Sequence, residues 1–79
     1  MKFAVIITLK KDVLEPQGKV IEQTLQNMGV NLLKNLRQGK YIEFELEEKD
    51  EKKAYGIIDD MCKKLLVNLT IEEYKIRKI

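Results

Sequence analysis

Three observations place this 79-residue chain in the α+β class: an alternating apolar stretch at the N-terminus, two segments of helical periodicity, and their interleaving with further strands in the order βαββαβ. That order predicts the split βαβ, ferredoxin-like arrangement. Right-handed crossovers then give a four-stranded antiparallel sheet with two helices on one face. The whole of residues 1–79 reads as a single domain.

Phe3, Val5, Ile7 and Leu9 alternate with Ala4, Ile6 and Thr8, so the first strand is apolar on one face, half apolar on the other, and expected to be covered on both. A charged turn follows. Pro16 suits the first helical position, where its missing N–H costs nothing, and Glu15 sets a carboxylate beside the positive end of the helix dipole. From Pro16 to Met28 the spacing predicts a helix with Val20, Ile21, Leu25 and Met28 on one side and Gly29 as its left-handed stop. Val30 to Leu36 reads as a second strand, Gln38-Gly39 as a turn, and Tyr41 to Glu47 as a third strand. In that third strand Ile42, Phe44 and Leu46 alternate with Glu43, Glu45 and Glu47. Asp50 is positioned to cap a second helix whose Ala54, Ile57, Ile58, Met61, Cys62, Leu65 and Leu66 make one apolar stripe. On the opposite side Asp59 with Lys63 and Asp60 with Lys64 are spaced as i,i+4 ion pairs. Asn68 is expected to end the helix in the left-handed region, and Tyr74 to Ile79 forms the last strand, with Tyr74 and Ile76 facing opposite to Lys75 and Arg77.

Composition removes several function classes. There is no histidine, serine or tryptophan, so a Ser/His triad and a Cys/His zinc site cannot be built. Cys62, on the apolar stripe without an imidazole, reads as core packing. Glu43, Glu45 and Glu47 lie on one strand face with nothing to set their pKa values apart, and so read as solvated or partner-facing surface. Gly18 follows a strand and opens a helix, yet it lacks the companion glycines of a phosphate cradle.

A net charge of +2 is too small for a phosphate-tracking surface, although residues 1–40 carry seven bases and three acids against eight and ten in residues 41–79. The first apolar run is too short to span a membrane and lacks a small-residue cleavage site, and a lone thiol fits a reducing cytoplasm. No nucleic-acid or membrane partner is expected.

A domain of this size needs support beyond one core, and neither a disulfide nor a metal is on offer, so association with other subunits is expected. Gly56, inside a helix, predicts the close approach of another backbone. Ala4, Ile6, Leu33 and Tyr41 are expected to form an exposed apolar sheet face, covered in a homodimer or higher oligomer.

Three stretches go further: Leu9 to Gly18, Arg37-Gln38-Gly39-Lys40, and Lys64 to Tyr74. In this order and at these separations they make the chain resemble the PurS family, the small subunit of phosphoribosylformylglycinamidine synthase, over nearly its whole length. Glu15 stands where that pattern usually has Asp, and Leu69-Thr70 where Pro-Val is common. The resemblance implies a non-catalytic bridging subunit of an ATP-dependent carbon–nitrogen ligase complex in purine biosynthesis. In that complex a glutaminase subunit releases ammonia from glutamine. A synthetase subunit, which binds ATP and Mg²⁺, then activates formylglycinamide ribonucleotide for amidation, with glutamate, ADP and phosphate as the other products. This chain itself would hold no cofactor and no catalytic residue. The resemblance assigns partner contacts to Pro16, Gln17 and Gly18, to Arg37, Gly39 and Lys40, and to Asn68, Glu72, Glu73 and Tyr74. For Gly18, Gly39 and Asn68, simple backbone geometry is the competing explanation.

Two other functions are compatible with the predicted fold. Dimers of βαββαβ domains can sense small molecules at their interface, an analogy of fold alone. Four-stranded sheets of this topology can also stack RNA bases, but Glu43 and Glu45 beside Tyr41 would repel phosphates.

Overall fold

The alternation of the first nine residues produces the central strand of the molecule. In the computed structural model, which describes residues 1–13 and 16–79, β1 (Lys2–Leu9) is flanked on both sides by antiparallel neighbours. These are β2 (Gly39–Glu45) and β3 (Glu72–Lys78), giving the strand order β2-β1-β3. The expected helix-start role of Glu15 lies outside the described residues. The N-terminal ammonium donates to the Leu46 carbonyl at 2.9 Å, tying the start of β1 to the end of β2.

Helix α1 (Pro16–Asn27) begins on Pro16, and Gly29 stops it at φ +106°, as the sequence predicts. Helix α2 (Glu51–Met61) is capped by Asp50, whose carboxylate accepts the Lys52 N–H at 3.0 Å. Ala54, Ile58 and Cys62 of this helical segment pack with Phe3, Val5 and Ile7 of β1, and Val67 closes the cluster. Phe3 meets Tyr55 edge-on at 5.4 Å between ring centroids. Each fully buried side chain of this kind stabilises the fold by about 1.5–3 kcal/mol. The outer pairs form as spaced, Asp59–Lys63 at 2.9 Å and Asp60–Lys64 at 3.7 Å.

The sheet has three strands, not the expected four. Residues 30–36 return beneath α1 instead of joining β1. Their inward residues, Leu33 and Leu36, are three apart rather than two, while Leu32 is 94% exposed. Their backbone groups go to α1 side chains: the Leu33 carbonyl accepts from the Gln26 amide at 2.9 Å, and the Leu36 N–H approaches the Glu22 carboxylate at 3.5 Å. Leu33 therefore belongs to this return segment and not to a sheet face.

Nor do both helices cover the sheet. Three strands span about 10 Å between the outer two, roughly the diameter of one helix, so α2 fills the available face. Helix α1 has no comparable packing on the sheet. Its expected apolar face is left largely in solvent, with Val20 61% and Met28 74% exposed, and Gly18 and Glu22 are its buried positions. The molecule is accordingly long and thin, 49 × 25 × 14 Å, with a Cα radius of gyration of 16.0 Å where a compact domain of this length has about 12 Å.

The end of α2 also departs from simple periodicity. Residues 62–66 form one wide π-type turn, whose extra residue turns Leu65 outward, 84% exposed, and brings Val67 into the core. Asn68 does not adopt the left-handed conformation; among the described non-glycine residues Asn35 has the positive φ. Gly56 has open space where a side chain would stand, so no backbone of this chain approaches it.

Candidate functional site

The three stretches singled out in the sequence meet where β1 ends. Leu9 closes β1, α1 starts at Pro16, and β2 begins at Gly39, so two of the stretches are adjacent through the β1–β2 pairing. The third arrives with β3, whose Glu72 pairs with Leu9. Sheet register, not sequence proximity, assembles the site.

The Gln38 amide donates to the Gln17 side-chain oxygen at 2.8 Å, and the Arg37 guanidinium donates to the Leu9 carbonyl. The first holds the root of α1 beside the start of β2, and the second holds the segment before β2 against the end of β1. Lys40 reaches the Glu72 carboxylate across β1 at 3.7 Å. Glu72 is engaged a second time, accepting the Asn68 N–H at 2.8 Å. The Asn68 side chain accepts the Thr70 N–H at 3.2 Å, and its carbonyl accepts the N–H groups of Ile71 and Glu72. Asn68 is thus the corner of the turn into β3, through the Leu69-Thr70 pair.

Gly39 is required by backbone contact, since a Cβ there would collide with the Ile7 carbonyl. Ile7, Leu9, Gln17, Gln38, Gly39, Lys40 and Glu72 line a concavity of about 180 Å³. Beside it Pro16, Gln17, Val20, Ile21 and Gln38 line a more apolar groove of about 330 Å³.

Not every residue assigned from the sequence joins this cluster. Gly18 is buried inside the root of α1. Glu73 points to the opposite face of the sheet, where with Ile6, Thr8 and Lys75 it borders a separate hollow. Tyr74 lies on the α2 side, and its hydroxyl donates to the Asp59 carboxylate. That hydrogen bond, with partial burial, pushes the Tyr74 phenol up to about 12, and together with Lys63 it holds Asp59 below the ordinary carboxylate value. Tyr74 therefore fastens α2 to β3. Cys62 is wholly buried in the core, and that burial raises its thiol pKa. The residues that sequence reasoning passed over are Gln38, read only as a turn, and Val20 and Ile21, read only as one side of the first helix. The position of Gln38 between Arg37 and Gly39 was the available signal.

This arrangement presents amides, one ion pair and an apolar groove, which suits recognition of a protein surface. Comparison with known proteins identifies the family. Residues 2–79 match the family model for PurS, described as phosphoribosylformylglycinamidine (FGAM) synthase. The chain belongs to the PurS family. It is 38% identical over 78 residues to the phosphoribosylformylglycinamidine synthase subunit PurS of Thermotoga maritima, covering 99% of this chain and 95% of that one. The Methanocaldococcus jannaschii subunit is 41% identical, covering 96% of this chain and 92% of the relative. In three dimensions the chain superposes on the PurS subunit in the structure of PurLQS from T. maritima with a TM-score of 0.92, covering 99% and 95% of the two chains. The crystal structure of M. jannaschii PurS gives 0.88.

Proposed function

We propose that this chain is the small, non-catalytic bridging subunit of phosphoribosylformylglycinamidine synthase, the ligase of purine biosynthesis that amidates formylglycinamide ribonucleotide. The observation that carries this reading is the convergence of three distant family stretches on one end of the sheet, in a cluster that offers contact groups and, among the described residues, no nucleophile–base pair.

Ammonia released into neutral water is mostly protonated and no longer nucleophilic, so the glutaminase and synthetase centres must be docked with the path between them shielded. A bridging protein contributes positioning and water exclusion. Gln17, Gln38, Lys40 and Glu72 supply the polar contacts of the docking surface, and the groove beside them, with Val20 and Ile21, receives an apolar side chain of another subunit. Pro16, Gly18, Gly39 and Asn68 shape that surface through the backbone. ATP and Mg²⁺ are assigned to the synthetase subunit, and the complex to the cytoplasm.

The chain acts as a homodimer within this complex. An unpaired sheet face and a helix standing off the sheet are surfaces that a domain this thin leaves to other chains. Mixing the chain with the glutaminase and synthetase subunits tests the bridging role. Omitting it should abolish glutamine-driven amidine formation while ammonia-driven formation persists. A full glutamine-driven rate in its absence, or turnover by the purified chain alone, overturns the reading.

A further inference from the structure

The hydrophobic core leaves out more than a quarter of the chain in one continuous piece. Its buried side chains, and the half-buried ones packed on them, come from β1, β2, α2 with its wide turn, Val67 and β3, and none lies among the described residues between Leu9 and Gly39. Residues 16–36, α1 with its return segment, therefore depend on one another. The Gln26 amide donates to the Leu33 carbonyl at 2.9 Å, the Val30 N–H to the Leu25 carbonyl at 3.1 Å, and the Leu36 N–H approaches the Glu22 carboxylate. Helix and return segment each satisfy groups of the other, so the two form and come apart together.

This unit has little to hold it. Its two buried positions are a glycine and a glutamate, Gly18 and Glu22, and no apolar side chain in it is fully buried. A helix of 12 residues is marginal without tertiary packing, and α1 carries no acidic residue in its first turn and no basic residue in its last. A segment with few buried apolar contacts opens at a lower free energy than the core.

The seam between this unit and the sheet runs through the candidate site. Gln17 and Gln38 join across it. The apolar groove takes Pro16, Gln17, Val20 and Ile21 from one side and Gln38 from the other, and Gln17 completes the second concavity at the end of the sheet. Neither hollow exists once the unit unravels, and a partner seated in them binds the closed form alone.

Resting on the bridging reading, we propose that residues 16–36 unravel and re-form as one unit while the sheet and α2 stay folded, and that docking of the other subunits across the seam holds the unit closed.

Amide hydrogen exchange tests both halves. In the free chain the amides of Val20 to Met28 should be protected about a hundredfold or more below those of β1, which is bonded to a neighbour on both sides. Gly29→Ala forces a side chain onto a residue at φ +106° and should speed exchange across α1 about tenfold with β1 unmoved. Asn27→Lys supplies the missing base in the last turn and a better helix former, and should slow the same amides about threefold. With the glutaminase and synthetase subunits at about a hundred times their dissociation constants, the α1 amides should slow about a hundredfold. Equal protection of α1 and β1 in the free chain, or a Gly29→Ala effect that spreads to β1, overturns the separate unit. A complex that forms, by co-sedimentation, without slowing the α1 amides overturns the closing by docking and leaves the bridging role standing. A chain that binds neither subunit overturns the bridging reading and the closing with it, while the free-chain exchange still decides whether the unit opens alone.

Discussion

Val20→Gln isolates the docking groove from everything else the chain does. Val20 sits on α1 with 61% of its surface open, so the substitution costs the free chain no core packing, and glutamine is at least as good a helix former. Burying a valine completely is worth about 2 kcal/mol, so covering the exposed 61% is worth about 1.2 kcal/mol. Each 1.4 kcal/mol is tenfold in affinity, and the variant should bind the other subunits about sevenfold more weakly. The assay is the concentration of this chain that gives half the full glutamine-driven rate, at fixed glutaminase and synthetase. Thermal unfolding should not move, because Val20 is outside the core cluster. An unchanged half-point would show that the groove stays in solvent in the assembled complex.

Three further outcomes follow from the same geometry. Gly39→Ala places a Cβ against the Ile7 carbonyl and must separate β1 from β2, at a cost of about 1–3 kcal/mol, visible as a lower urea midpoint. Arg37→Ala removes the donor to the Leu9 carbonyl and loosens the segment before β2 from the end of β1, so complex formation should weaken several-fold while the melting of the sheet and α2 changes little, as circular dichroism can follow. Tyr74→Phe should abolish a phenolate absorbance step near pH 12. Because the folded-state value of Tyr74 is raised from 10.0, its contribution to stability is complete below pH 10 and lost as pH rises toward 12. Asp59, lowered from 3.8, contributes above about pH 4 and loses its contribution as pH falls further. The variant should therefore show a flatter stability profile at both extremes than the wild type.

The candidate site was legible in part. The stretches around Gln17, Arg37–Lys40 and Glu72 could be named from the chain alone, but their meeting depended on the pairing of Leu9 with Glu72 and of Thr8 with Gly39. Alternation along β3 correctly separated Tyr74 from Lys75 and Arg77. It could not say that Tyr74 would face the Asp59 carboxylate on α2. Val20 and Ile21 could be placed on one side of a helix but not assigned to a groove, because a helical stripe records which side chains share a face, not whether anything covers that face.

Local physics set the parts of this protein. Pro16 and Gly29 bound α1, Asp50 caps α2, alternation of Phe3, Val5 and Ile7 makes β1, and the missing histidine and serine rule out a catalytic triad. Each of these depends on neighbours within a few residues. Tertiary structure decided the number of strands, the wide turn at Cys62–Leu66, and the standing of α1 away from the sheet. A strand exists only with a hydrogen-bonding partner. Residues 30–36 found theirs on α1 rather than β1, and a three-stranded sheet has room on that face for one helix.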